Sequence, residues 1–210
     1  MTNEELMDAA KASLNGKWMA AAIATLILAI ILDGSSFMLG FFSRNSYSGF
    51  VSILIIGPML FGYTVYISNL VNKESIAYEQ LFKGFHNYVK TFLLGLLIIA
   101  FTYLWMLLLI VPGIIAALRY SMSFFIMKDN PEMSAMEALN ASCEMMKGHK
   151  MELFCLNLRF IGWLILGALT FGIGLLFVYP YMQASITLFY QQLRDNNNNT
   201  ENEFNEAFAK

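Results

Sequence analysis

The stretch RFIGWLILGALTFGIGLLFVYPYMQASITLFYQQLR, residues 159–194, carries no charge between Arg159 and Arg194. A bilayer core is crossed by about 20 apolar residues in a helix, so this interval is too long for one crossing. Thr170-Phe171-Gly172-Ile173-Gly174 lies inside it, a breaker cluster that turns the chain. It reads as two membrane helices joined by a tight turn.

Working outward, charged residues enclose the other spans, since a charge at the centre of a membrane helix costs about 2.5 to 3.5 kcal/mol. Lys17 to Asp33, Arg44 to Lys73 and Lys90 to Arg119 are charge-free intervals. Val111-Pro112-Gly113 breaks the chain as the glycine cluster does. Six helices are expected, at about residues 18–33, 50–71, 91–111, 113–128, 152–169 and 175–193. Composition agrees: 58% of residues are hydrophobic, 13% are charged and the mean hydropathy is +0.56. That excludes an ordinary soluble domain, whose residues are about a quarter charged. A net charge of -2 gives no basis for a nucleic-acid partner.

The acidic Glu4, Glu5 and Asp8 precede the first apolar run, where a cleavable signal would place basic residues; the first span is expected to stay in the membrane. Lys11, Lys17, Lys73, Lys83, Lys90, Lys128, Lys147, Lys150, Arg194 and Lys210 fall on one side, and Arg44 alone on the other. The positive-inside rule then places both termini in the cytoplasm. Cys143 and Cys155 are expected as free thiols. His149 lies at helical spacing from Glu152, a solvated pair and not a metal site.

Three cytoplasmic segments resemble one another. Thr2 and Glu5 open the first as a capping box, Leu6, Ala10 and Leu14 form its apolar face, and Gly16-Lys17 closes it. Tyr78, Leu81, Phe82 and Phe85 form one face of the second, with Lys83-Gly84 near its end, and Ser134 and Glu137 open the third, which ends at Lys147-Gly148. The expected fold is all-α: a polytopic bundle of six transmembrane helices in three pseudo-repeated hairpins, each preceded by an amphipathic helix lying in the cytoplasmic headgroup plane. Residues 1–193 form a single membrane domain, with repeats at about 1–72, 73–128 and 129–193. Residues 194–210 read as a polar, partly disordered tail.

Leu109-Ile110-Val111-Pro112-Gly113-Ile114-Ile115 followed by Arg119-Tyr120-Ser121-Met122 resembles an uncharacterised bacterial membrane family, domain of unknown function 975. Asp129-Asn130-Pro131, Met145-Met146-Lys147-Gly148, Phe160-Ile161-Gly162-Trp163, Tyr179-Pro180-Tyr181 and Phe189-Tyr190 are similar to it as well. The resemblance implies an integral membrane protein of bacterial type with no established reaction. Arg159 stands where the family pattern implies a small polar residue.

Arg119 is the ionisable group inside an apolar run, and such a group is a functional-site hypothesis by default. Tyr120, Ser121, Ser123, Gln183 or Ser185, and Asp33 are its candidate partners, together with an anionic headgroup or solute; packing or snorkelling is the plainer account. Arg159, nearer its span's end, reads as snorkelling. Pro58 and Pro180 interrupt corresponding spans, a pattern found at transporter binding sites. No metal-binding, nucleophile-elbow or phosphate-cradle motif occurs, so no enzyme activity and no cofactor are expected. The expected role is that of a non-catalytic protein of the bacterial cytoplasmic membrane, acting through contacts with lipids, a membrane-protein partner or its own copies. The alternative is a small transporter or channel for an anionic or amphiphilic solute that uses Arg119.

Overall fold

The computed structural model describes the backbone of residues 2–42, 48–170 and 172–208, and the side chains of 2–32, 53–170 and 172–198. Arg44 and the side chain of Asp33 lie outside the described residues. Within them every regular element is helical: α1 (Asn3–Leu14), α2 (Trp18–Phe42), α3 (Ser48–Val71), a 3-10 helix η1 (Tyr78–Phe85), α4 (Tyr88–Leu108), α5 (Ile110–Tyr120), α6 (Ser123–Asp129), α7 (Ala135–Met145), α8 (Lys150–Leu169) and α9 (Leu175–Phe208).

Among the described residues four stretches are long and apolar enough to cross a membrane: Ile53–Val71, Tyr88–Leu108, Ile110–Asp129 and Lys150–Leu169. A fifth results if α1 and α2, bent by 96° at their junction, count as one. α9 is not among them, because Gln183, Ser185, Thr187, Gln191 and Gln192 dilute its apolar residues. It also continues past Arg194 to Phe208. A tail is expected there from composition, but adding residues to an existing helix avoids the cost of nucleating a new one.

The α8–α9 turn falls at its glycine cluster, whereas the α4–α5 break comes ahead of Val111-Pro112-Gly113, which lies in the first turn of α5 because a proline is tolerated there. Leu109, with φ -162° and ψ 145°, is the extended residue between α4 and α5. Between α8 and α9, Thr170 Oγ1 donates to the Gly167 carbonyl at 2.7 Å and accepts from the Gly174 amide at 3.0 Å. These bonds satisfy groups that the helix ends leave without partners.

Among the described residues the long apolar helices differ in depth. In α3, 67% of the apolar window is buried, against 17% in α4; the Ile110–Asp129 stretch is 44% buried and α8 only 22%. α3, α6 and α9 therefore form the inside, where Tyr63, Tyr66, Ile67 and Leu70 meet α9 and Phe125 stacks on Tyr190 at 5.1 Å. Each element joining two hairpins folds back along the inner helix before it: η1 on α3 and α7 on α6. α1 closes the circle by packing on α9, and Trp18, at the start of α2, meets Tyr181 of α9 at 6.1 Å.

One expectation about these elements is corrected. Leu6, Ala10 and Leu14 of α1 are essentially fully buried, and so are Ala138, Leu139 and Ser142 of α7. Their apolar faces point into the bundle and not into a headgroup plane, because the flanks of the inner helices supply a closer apolar surface. The second element is no α-helix at all: η1 is a 3-10 helix, and it leaves Tyr78, Phe82 and Phe85 exposed.

Candidate functional site

The Ile110–Asp129 stretch is interrupted between α5 and α6, and this sets the surroundings of Arg119. Ser142 of α7 bridges the break: its hydroxyl donates to the Arg119 carbonyl at 2.7 Å and accepts from the Met122 amide at 3.2 Å. Two backbone groups freed by the break are thereby paired in a buried place, where leaving them bare would cost about 1 to 3 kcal/mol each. Ser142 is legible in the sequence only as one position on an apolar face.

Arg119 itself is partly buried at the end of α5, and among the described residues its guanidinium has no hydrogen-bond or ion-pair partner. Its expected companions disperse. Tyr120 is buried, with its ring 6.2 Å from Phe101, and Ser121 donates to the Leu118 carbonyl at 2.8 Å. The buried Ser123 hydroxyl has no partner among the described residues. Gln183 lies on α9, where its carbonyl accepts from Thr187, and no hydrogen bond joins it to Arg119 among the described residues. The five residues do not form one site.

Arg159 reaches the exposed end of α1: Nη1 meets Glu4 Oε1 at 3.1 Å, and Asn3 donates nearby to the Glu152 carbonyl at 3.2 Å. His149 Nδ1 and Glu152 Oε1 pair at 3.2 Å, as their spacing predicts.

The polar cluster that the structure does assemble joins α6 to α9. Asp129 Oδ2 accepts from Tyr190 at 2.8 Å and from Arg194 Nη1 at 2.9 Å, with Lys128 Nζ 3.7 Å from its other oxygen. Partial burial opposes the charge on Arg194, yet the Asp129 carboxylate beside it outweighs this and raises the Arg194 pKa. A cavity of about 600 Å³ opens beside it, lined by Asn130, Met133, Met145 and Asn198 among others. A larger groove of about 1060 Å³ lies between α3, η1 and the α6–α7 turn. Among the described residues no three His, Cys, Asp or Glu side chains come close enough to hold a metal.

The interface turns also differ. Gly16 and Gly148 take φ of +76° and +85°, with open space around them. Lys147 pairs with Glu144 beside Gly148, and Lys17 donates its amide to the Leu14 carbonyl at 2.9 Å. Gly84, next to the exposed Lys83, has ordinary helical geometry and is wedged against the Pro58 carbonyl of α3.

The family whose description is "Protein of unknown function (DUF975)" matches residues 1–117 and 99–197. The chain belongs to this family. No curated protein and no solved structure matches it. Membership covers both the α5–α6 break and the Asp129–Arg194 pair, so the family's unassigned role is carried by an all-helical chain with several apolar, membrane-length helices.

Proposed function

We propose that this member of the family is a six-span protein of the bacterial cytoplasmic membrane, with both termini cytoplasmic, that acts without catalysis through its contacts with lipids and other membrane proteins. The observation that carries the reading is the collar: α1, η1 and α7 pack in cyclic order on α9, α3 and α6. That order is what a threefold repeat of hairpin plus connecting element predicts. Lys11, Lys83 and Lys147 lie on or beside these three elements, on the side where the positive-inside rule places the cytoplasm. The rival, a carrier that uses Arg119, needs a polar cavity leading to it. The surroundings of α5 and α6 are instead an apolar cluster that includes Tyr120, Met122, Phe125 and Ile126.

Cysteines introduced beside Arg44 and Gly172 should react with an impermeant thiol reagent in intact cells, and ones beside Lys83 and Lys147 should not; the reverse would overturn the orientation. For the role itself, the chain is extracted together with its surrounding native lipid and proteins. Loss of a defined retained set in a collar variant supports action through contacts. Solute flux in proteoliposomes, abolished by Arg119→Met, would replace this reading with the transport one.

A further inference from the structure

The inner helices meet along three seams, and two of them are tied by side chains. Asp129 joins α6 to Tyr190 and Arg194 of α9, and Gln191 of α9 donates to Asn72 at the end of α3. Across the α3–α6 seam no side-chain hydrogen bond runs among the described residues, and the groove of about 1060 Å³ opens there. It is the seam served by the shortest collar element: η1 has 8 residues where α1 has 12 and α7 has 11.

The chemistry of this groove is mixed in a particular way. Phe61 and Val65 give it an apolar wall, while Lys83 and Lys128 bring positive charge and Glu74 and Glu79 negative charge. Its rim continues as a ladder of rings, Phe82 to Phe85 at 6.3 Å, Phe85 to Tyr88 at 6.2 Å and Tyr88 to Phe92 at 5.7 Å. That ladder leads onto the outer face of α4, where Val89 and Leu93 are exposed. Aromatic rings between an apolar face and a polar one sit well at headgroup depth.

We propose that the α3–α6 groove binds the headgroup of a zwitterionic aminophospholipid, with its phosphate toward Lys83 and Lys128, its ammonium toward Glu74 and Glu79, and its acyl chains over the aromatic ladder and α4. The proposal rests on the reading of α4 as a membrane span. A purely anionic headgroup would place its charge beside the two glutamates, and a quaternary ammonium has no N–H to give them. A primary ammonium can donate to both.

The full chain, purified in detergent, is titrated with phosphatidylethanolamine, phosphatidylcholine and phosphatidylglycerol of identical acyl chains, and bound lipid is counted by native mass spectrometry. Phosphatidylethanolamine should be retained at about tenfold lower concentration than the others, the scale of one charge-assisted hydrogen bond. The double variant Lys83→Gln, Lys128→Gln should lose that affinity. The pair Glu74→Gln, Glu79→Gln should erase the preference over phosphatidylcholine while leaving binding. Lys11→Gln with Lys147→Gln, at the same end of the bundle, should change nothing. Equal retention of the three lipids, a preference for phosphatidylglycerol, or equal losses in the Lys11 and Lys147 control would overturn the site. Recovery of the chain in the aqueous fraction without detergent would instead refute the membrane reading beneath it, so the two failures are distinguishable.

Discussion

The corner at Gly148 and the corner at Gly84 carry the same letters, a lysine followed by glycine ahead of an apolar helix, and are built on different physics. Gly148 is required for its backbone: φ of +85° lies in the left-handed region, and nothing lies within 4 Å of where a Cβ would stand. Gly84 is required for its size: it has no left-handed φ, and the Pro58 backbone of α3 occupies the place of a side chain. One glycine lets α7 turn into α8, while the other lets η1 lie flush on α3. The first tolerates a residue that accepts left-handed φ; the second tolerates no side chain.

The sharpest way to break this comparison is Gly84→Ala. The clash is with backbone, which no rotamer relieves, so η1 must lift from α3. Forced overpacking of this kind costs about 3 kcal/mol. The expected outcome is a large loss of apparent melting temperature in detergent, with the Asn69–Gln80 amide contact, 3.1 Å in the native structure, broken along with it. A stability equal to the parent's would show that the 3-10 element is not seated as described.

Ser142→Ala comes second, at about 2 kcal/mol, because it strips a buried Met122 amide of its acceptor. Ser142→Thr keeps the hydroxyl and should recover part of the loss. Thermal unfolding of the two variants side by side checks this. Equal destabilisation would point to crowding by the added methyl group in place of the hydrogen bonds.

Gly148→Ala should cost roughly 1 to 2 kcal/mol, the penalty of a left-handed L-residue. Gly148→Asn should cost less, because asparagine visits that region more readily. At Gly84 the order reverses, with asparagine worse than alanine because it is larger. Melting temperatures of the four variants therefore separate a requirement for backbone freedom from a requirement for space within one experiment. A common order at both corners would remove the distinction.

These corners also show how much could be read in advance. Charge-free intervals and glycine or proline breakers are local signals, and they mark the apolar helices and the α8–α9 turn, while the α4–α5 break falls just ahead of its breaker cluster. The capping boxes at Thr2 and Ser134 were legible for the same reason, since cap, acid and spacing lie within one turn. What depends on partners distant in sequence was not. Gly84 differs from Gly148 because of Pro58, 26 positions earlier in the chain. Arg159 is held by Glu4, and Asp129 by Tyr190 and Arg194. Each of those residues is visible in the sequence as a charge or a ring, yet periodicity carries no information on which pairs meet. The amphipathic faces were legible, but whether they turn to lipid or to protein depends on the stagger of the hairpins.

The smallest expected effect concerns the cap at the start of α7. Glu137 accepts from the Ser134 amide at 2.8 Å and its own amide donates to the Ser134 hydroxyl at 3.3 Å, and these hydrogen bonds hold its carboxyl below the usual range. Since the carboxylate is favoured in the folded chain, its contribution is present above the ordinary glutamate pKa, about 4.3, and fades as pH falls through the lowered folded value. Glu137→Gln, which keeps the shape and an acceptor but not the charge, should therefore melt slightly below the parent at pH 7. The gap should close as pH drops below the carboxylate range. Ser134→Ala removes the hydroxyl but keeps the amide, and should lower the melting temperature at pH 7 by the equivalent of about 1 kcal/mol. In that background the pH-dependent part of the Glu137→Gln difference should shrink but persist, because the backbone amide of residue 134, the main cause of the shift, still donates to the carboxylate. A gap that persists unchanged to low pH would mean that the glutamate acts through shape alone, and the third collar element would then start without the charge-assisted half of its cap.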